Sequence, residues 1–227
     1  MSPAAAYPSY MDLDPFIDVA RLRSLDSDLR ARLDHRLAAS GDLRFYTGPF
    51  LLQDGAPSLP GSQMVYLSRS RREENYYDLD RTDLWRVSEE AAEFPELMDF
   101  IFTLPFKARG RMMIIYDPLG RSVSAHRDHD SHDLCHEFIW MRTNLDKPFY
   151  MQSAQTGERE YVRSHSAWFD TVNQYHGGDG TGRMAFSIRV DGVFTDAFRA
   201  RIPFPEGNRA SAPAQWAAQA RTAPHGP

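Results

Sequence analysis

Between residues 15 and 40 the apolar positions fall three and four apart. Leu22, Leu25, Leu29, Leu33 and Leu37 recur at that spacing with Arg and Asp between them. The pattern predicts one amphipathic helix, with Gly41 placed to end it. A Pro/Gly-rich stretch follows, from Gly48-Pro49 through Gly55 to Gly61, and it carries the apolar triplet Phe50-Leu51-Leu52. Arg69 to Arg86 is polar and aromatic, with Tyr76, Tyr77 and Trp85, and is expected to be loop with short elements. Ser88 to about Phe102 reads as a second helix, broken or restarted at Pro95 because proline cannot continue the helical hydrogen-bond ladder.

From Arg109 the texture changes to short β-prone runs separated by turn signals. The apolar runs include Arg111–Tyr116, Glu137–Arg142, Phe149–Gln152, Glu160–Arg163, Trp168–Val172 and Arg183–Val190. The turn signals include Asp117-Pro118-Leu119-Gly120, Asn144–Pro148, Thr156-Gly157 and Gly177–Gly182. Short strands at this spacing, after two helices, predict a mainly β fold with flanking helices: a jelly roll or cupin-like barrel, the double-stranded β-helix. The expected organisation is a flexible arm over 1–14, one domain over 15–205 and an Ala/Pro-rich tail over 206–227. Within the domain, 15–108 supplies helical and loop support on the substrate side, and 109–195 forms the barrel core. No internal repeat is visible.

Composition narrows the class. A chain of 227 residues with 42% hydrophobic and 25% charged residues suits one globular domain. A formal charge of −5 gives no reason to expect a nucleic acid or an anionic membrane as partner. Cys135 is the single cysteine, so no internal disulfide can form, and a reducing cytoplasm is the expected setting. MSPAAAYPSYMDLDPF lacks the basic and apolar regions of a signal peptide, and no apolar run reaches a membrane span.

Chemistry concentrates in the histidines. Of the 8 in the chain, His126, His129, His132, His136 and His176 fall in or near two segments of the expected barrel. Ala125-His126-Arg127-Asp128 contains His-x-Asp, and residues two apart at a strand end point to one side. An imidazole and a carboxylate there can meet one ion, and His176 can supply a third ligand from a distant strand, just before Gly177-Gly178-Asp179-Gly180-Thr181-Gly182. Two histidines and one carboxylate on one octahedral face leave three positions open, as in non-haem Fe(II) oxygenases. The same residues also fit a solvated His-rich loop or a structural zinc site.

Three blocks between Arg109 and Asp191 carry a resemblance. They are RGRMMIIYDPLGRSVSAHRD, HEFIWMRTNLDKPFYM and SAWFDTVNQYHGGDGTGRMAFSIRVD. In order and spacing they resemble the aspartyl/asparaginyl β-hydroxylase group of 2-oxoglutarate oxygenases, which includes the cis-proline hydroxylases. The resemblance covers about eighty residues. It implies that His126, Asp128 and His176 form an iron-binding facial triad, with 2-oxoglutarate as co-substrate and dioxygen as oxidant. Because Asp128 is present, it implies hydroxylation rather than halogenation.

The resemblance also assigns the co-substrate's contacts. Arg183 falls where the family's carboxylate-binding arginine sits, although its distance from His176 is shorter than usual. Arg189, on the same expected strand face, is the reserve. His136 stands where the family has an arginine toward the metal-proximal carboxylate, and Phe138 replaces a further inward histidine. Trp168 is expected in the core, and Asp170 is expected to orient His176. Arg127 should point away from the metal, while Arg142 or Arg121 could recognise a substrate carboxylate. The expected substrate is a small molecule, amino-acid-like or a natural-product intermediate, with Phe45, Tyr46, Tyr66, Tyr76, Tyr77 and Trp85 lining a pocket or lid. Two alternatives stand beside this reading: a cupin-like metalloenzyme that needs no oxo-acid, and a non-catalytic β-barrel binding module.

Overall fold

The computed structural model describes residues 10–40, 63–70, 82–128, 137–171 and 174–201. The strands in chain order are β1 (Met11–Asp12), β2 (Gln63–Tyr66), β3 (Ser68–Ser70), β4 (Trp85–Val87), β5 (Phe106–Asp117), β6 (Val123–His126), β7 (Phe138–Met141), β8 (Phe149–Gln152), β9 (Arg159–Tyr161), β10 (Ser166–Trp168), β11 (Tyr175–Gly178) and β12 (Ala185–Phe194). The α-helices are α1 (Val19–Ser24), α2 (Asp26–Ser40), α3 (Pro95–Ile101) and α4 (Asp196–Arg199).

Two antiparallel sheets make the barrel. One has the order β1-β10-β7-β12-β5-β2 and the other β6-β11-β8-β9. From β5 onward the chain passes between them, so that β5, β7, β10 and β12 build the larger sheet and the intervening strands the smaller one. This is the double-stranded β-helix expected from the strand spacing. A third, two-stranded sheet pairs β3 with β4.

Alternation along the strands decides what faces inward. On β5, Arg111, Met113, Ile115 and Asp117 line the barrel's pocket, while Met112, Ile114 and Tyr116 enter the main hydrophobic core. On β12, Ser187 and Arg189 face the pocket and Ile188 and Val190 the core. On β7, Trp140 lines the pocket, while Ile139 and Met141 take the core side. That core is shared with Leu22, Leu25, Leu29 and Leu33, and with Phe94, Leu97, Phe100 and Ile101 around α3. Burying a leucine side chain contributes roughly 1.5–3 kcal/mol, so this stripe is what holds the helices against the larger sheet.

Several boundaries differ from the sequence expectation. The single leucine-bearing helix is two, broken at Leu25, whose N–H bonds the Leu22 carbonyl at 3.3 Å. Asp18 caps α1 through the Arg21 N–H at 2.9 Å, and Asp26 and Asp28 stand in the first turn of α2, where a helix favours negative charge. Gly41 lies outside the described residues. The second expected helix does restart at Pro95, which opens α3 after a 3-10 turn over Glu90–Glu93.

The loose arm expected over 1–14 is corrected at its end. Met11 and Asp12 pair with Trp168 and Ala167 of β10, and Leu13 is fully buried, because an apolar residue on either side of a polar one suits an edge strand. The segment 15–108 also does more than support the barrel, since β2 extends the larger sheet by pairing with β5. The run Trp168–Val172 is shifted, with β10 ending at Trp168. Trp168 is buried, as expected for the core. No helix among the described residues is long and apolar enough to cross a membrane.

Candidate metal centre

β6 and β11 bring the two histidines together. They pair antiparallel with His126 directly opposite His176, and opposed residues present their side chains on one face. The imidazole centroids lie 4.4 Å apart. Asp128 follows two residues after His126, and its N–H is held by the Thr171 carbonyl at 2.8 Å. Its Oδ1 lies 3.8 Å from Nε2 of His126 and 3.6 Å from Nε2 of His176. One ligand atom from each of the three falls within 4.8 Å of the other two. Metal–ligand bonds of about 2.1 Å at right angles set neighbouring donors about 3 Å apart, so a modest closure would complete the site.

The backbone selects the tautomer of both rings. Nδ1 of His126 is 2.9 Å from the Ser124 carbonyl, and Nδ1 of His176 is 3.3 Å from the Gln174 carbonyl. A carbonyl only accepts, so Nδ1 carries the proton and Nε2 offers its lone pair toward Asp128. Burial alone would raise the pKa of Asp128. Interactions that favour the charged form, among them the nearby Arg189 guanidinium, outweigh that effect and hold the carboxyl well below the usual range. The donor set is thus two imidazoles and one ionised carboxylate, which suits a divalent transition metal.

These ligands open onto a cavity of about 170 Å³ inside the barrel. Phe149 and Phe169 flank His176, with ring centroids 6.0 Å and 5.4 Å away. Both phenylalanines stack near Trp140, at 4.5 Å and 5.9 Å. Met64, Met113 and Ile115 continue the apolar wall. Charge enters from Arg111, Arg142, Lys147 and Arg189.

The structure separates the arginines proposed from sequence. Arg183 lies outside the cavity and is corrected as a candidate. The strand begins only at Ala185, and Arg183 is exposed on the preceding turn. That turn is tied to the β5–β6 turn by Thr181 and Gly182 N–H groups, which bond the Gly120 carbonyl at 2.7 and 3.2 Å. Gly120 permits the approach through a φ of 56°, and a Cβ there would stand 2.0 Å from the Arg183 carbonyl oxygen. Arg189 does reach the cavity. His136, with His129, His132 and Asp130, falls outside the described residues, as do Phe45, Tyr46, Tyr76 and Tyr77.

Arg142 reaches the cavity and is held by backbone carbonyls. Its guanidinium donates to the carbonyls of Ser164 at 3.2 Å, Lys147 at 3.0 Å and Val162. Burial pushes its pKa down to about 10, so it remains a cation at neutral pH. These bonds tie the β7–β8 and β9–β10 connections together. Arg121 is exposed. Arg127 points away as expected, lying over the Tyr175 ring at 5.1 Å. Asp170 is buried beside the site, and its backbone brackets Gln174, the residue whose carbonyl faces His176.

Sequence reasoning missed Lys147. It lines the cavity near Gly178 and pairs with Asp117 at 3.1 Å. A lysine ahead of Pro148 in a turn-like stretch carries no periodic signal. Its position is set by contacts that hold that stretch against the barrel, among them those of Arg142 and Asp26.

No family model matches this chain, and no curated protein matches it. Solved structures do. A prolyl hydroxylase from Trichoplax adhaerens, determined with a hypoxia inducible factor oxygen degradation domain peptide fragment, aligns over 85% of this chain and 86% of that one, at 13% identity and a TM-score of 0.50. A Pseudomonas putida prolyl-4-hydroxylase aligns over 82% of this chain and 92% of that one, at 16% identity and a TM-score of 0.44. A 2OG-Fe(II) oxygenase family oxidoreductase from Burkholderia pseudomallei aligns over 77% and 89%, at 10% identity and a TM-score of 0.38. With the strand order above, the Trichoplax likeness places this chain in one fold, the double-stranded β-helix.

Proposed function

We propose that the chain is an Fe(II)- and 2-oxoglutarate-dependent oxygenase that hydroxylates an unactivated C–H bond of a small, amino-acid-like molecule. The observation that carries this reading is the convergence of His126, Asp128 and His176 on one point beside a largely apolar cavity. When bound, iron would supply oxygen activation coupled to decarboxylation of the oxo-acid. The protein's part is to hold three ligands on one side, keep both Nε2 atoms deprotonated and exclude water from the other side. Trp140, Phe149 and Phe169 form that dry wall.

An oxo-acid also needs a cation for its far carboxylate. Lys147 suits that role, because its ammonium carries three donors and pairs with Asp117 alone among the contacts described. The cavity lies below the roughly 300–1,000 Å³ of pockets for drug-sized ligands, which supports a compact substrate.

One observation favours the alternative of a metalloenzyme without an oxo-acid. Each cation of the cavity already has a partner: Arg111 and Arg189 on Asp191, Arg142 on carbonyls, and Lys147 on Asp117. Turnover distinguishes the two. Purified protein with Fe(II), ascorbate and a panel of amino acids should convert 2-oxoglutarate to succinate with one panel member, and His126→Ala should abolish it. Product formed without 2-oxoglutarate would establish the alternative.

A further inference from the structure

We infer that Arg189 is a positioning residue for the metal centre, holding one oxygen of Asp128 so that the carboxylate offers the metal only the other. The inference rests on the metal-centre reading above and deepens it. Asp128 divides its oxygens between two neighbours. Oδ1 faces Nε2 of both histidines, whereas Oδ2 lies 3.5 Å from Nη1 of Arg189.

The guanidinium is itself fixed. Its Nε and Nη2 meet Oδ1 of Asp191 at 3.0 and 2.9 Å, and its carbon sits 4.1 Å from the centroid of the Phe138 ring. Asp191 is fully buried, and its other oxygen accepts Arg111 Nε at 3.0 Å. Arg111, Asp191, Arg189 and Asp128 therefore alternate in charge from the floor of the barrel to the ligand. Asp191 thus faces two guanidinium groups, and Asp128 brings a second carboxylate to Arg189.

This arrangement has a chemical consequence. A carboxylate free to turn can chelate a metal through both oxygens and take a second coordination position. With Oδ2 drawn to Arg189, Asp128 takes one position, and the three ligands leave half of an octahedron open. The same contacts commit the guanidinium fork, which removes Arg189 as the clamp for an oxo-acid's far carboxylate.

Co(II) serves as probe, since its visible spectrum reports coordination number. In Arg189→Gln the Co(II) dissociation constant should rise by about tenfold or more, as for loss of other outer contacts to a ligand, and the ligand-field bands should change. Affinity for 2-oxoglutarate at saturating Co(II) should stay close to the wild-type value. Arg189→Lys keeps the charge but not the fork and should fall between the two. If Arg189→Gln does not fold, weakened Co(II) binding by folded Arg189→Lys carries the same test. Wild-type Co(II) affinity and spectrum in the folded variant, or lost 2-oxoglutarate affinity alone, would overturn the role of Arg189. Absence of Co(II) binding by the wild-type chain would instead overturn the metal centre as a whole.

Discussion

His126 and His176 stand opposite each other across β6 and β11, fifty residues apart in sequence and 4.4 Å apart between ring centroids. The pairing is made by backbone hydrogen bonds and does not depend on an ion. Replacing His126 by Ala should therefore leave the fold intact while removing a ligand. Loss of an outer-sphere contact typically weakens metal binding 10–100-fold, so loss of His126 should exceed about a hundredfold. Calorimetric titration with Mn(II), beside circular dichroism of the same sample, checks both halves.

Gly177 lets the second histidine strand lie close to its neighbour. A Cβ at Gly177 would meet the Tyr150 hydroxyl at 2.6 Å and the Val123 carbonyl oxygen at 2.7 Å. Gly177→Ala should cost about 1–3 kcal/mol of stability, the usual range for overpacking. Because His176 is the adjacent residue, metal affinity should fall as well. Urea unfolding and the Mn(II) titration together test this, and unchanged values in both would contradict the packing described.

Asp26 ties the start of α2 to the stretch that carries Lys147. Its carboxylate accepts Arg30 Nε at 2.9 Å, Asn144 Nδ2 at 2.6 Å and the Thr143 hydroxyl. Burial raises its pKa, but the Thr143, Arg30 and Asn144 hydrogen bonds outweigh that and set it below the ordinary value. A depressed folded pKa means the stabilisation is present above the unfolded pKa of about 4. It is lost as pH falls through the lower, folded value. Asp26→Ala should cost about 2 kcal/mol at neutral pH, in line with charged hydrogen bonds, and less in strong acid. Denaturation of both proteins from pH 7 to pH 2.5 measures the difference.

Arg142 divides a structural role from substrate recognition. Removing its guanidinium leaves the Ser164, Lys147 and Val162 carbonyls short of a donor. Arg142→Met should lower stability by at least about 2 kcal/mol. A variant of unchanged stability with a raised KM for substrate would show instead that Arg142 meets the substrate.

The periodic features of this fold were legible in the sequence. The leucine stripe, the restart at Pro95, the short strands after Arg109 and the His126-x-Asp128 pair each follow from local chemistry, whereas the approach of His176 from a distant strand was implied by the family resemblance. Arg183 failed because a strand boundary moved by two residues takes a side chain from the cavity to solvent. Lys147 and the Arg111–Asp191–Arg189 chain were hidden because they depend on which distant strands become neighbours. β12 lies between β5 and β7, and only that order places Arg111 beside Asp191.

Anaerobic addition of Fe(II) and then 2-oxoglutarate to the purified chain is the most direct test of the proposed centre. The expected result is one iron per chain and a visible metal-to-ligand absorption band that needs both additions and disappears in His126→Ala. Iron binding that is absent, or a band that persists in that variant, would contradict the assignment of His126, Asp128 and His176 as the iron site.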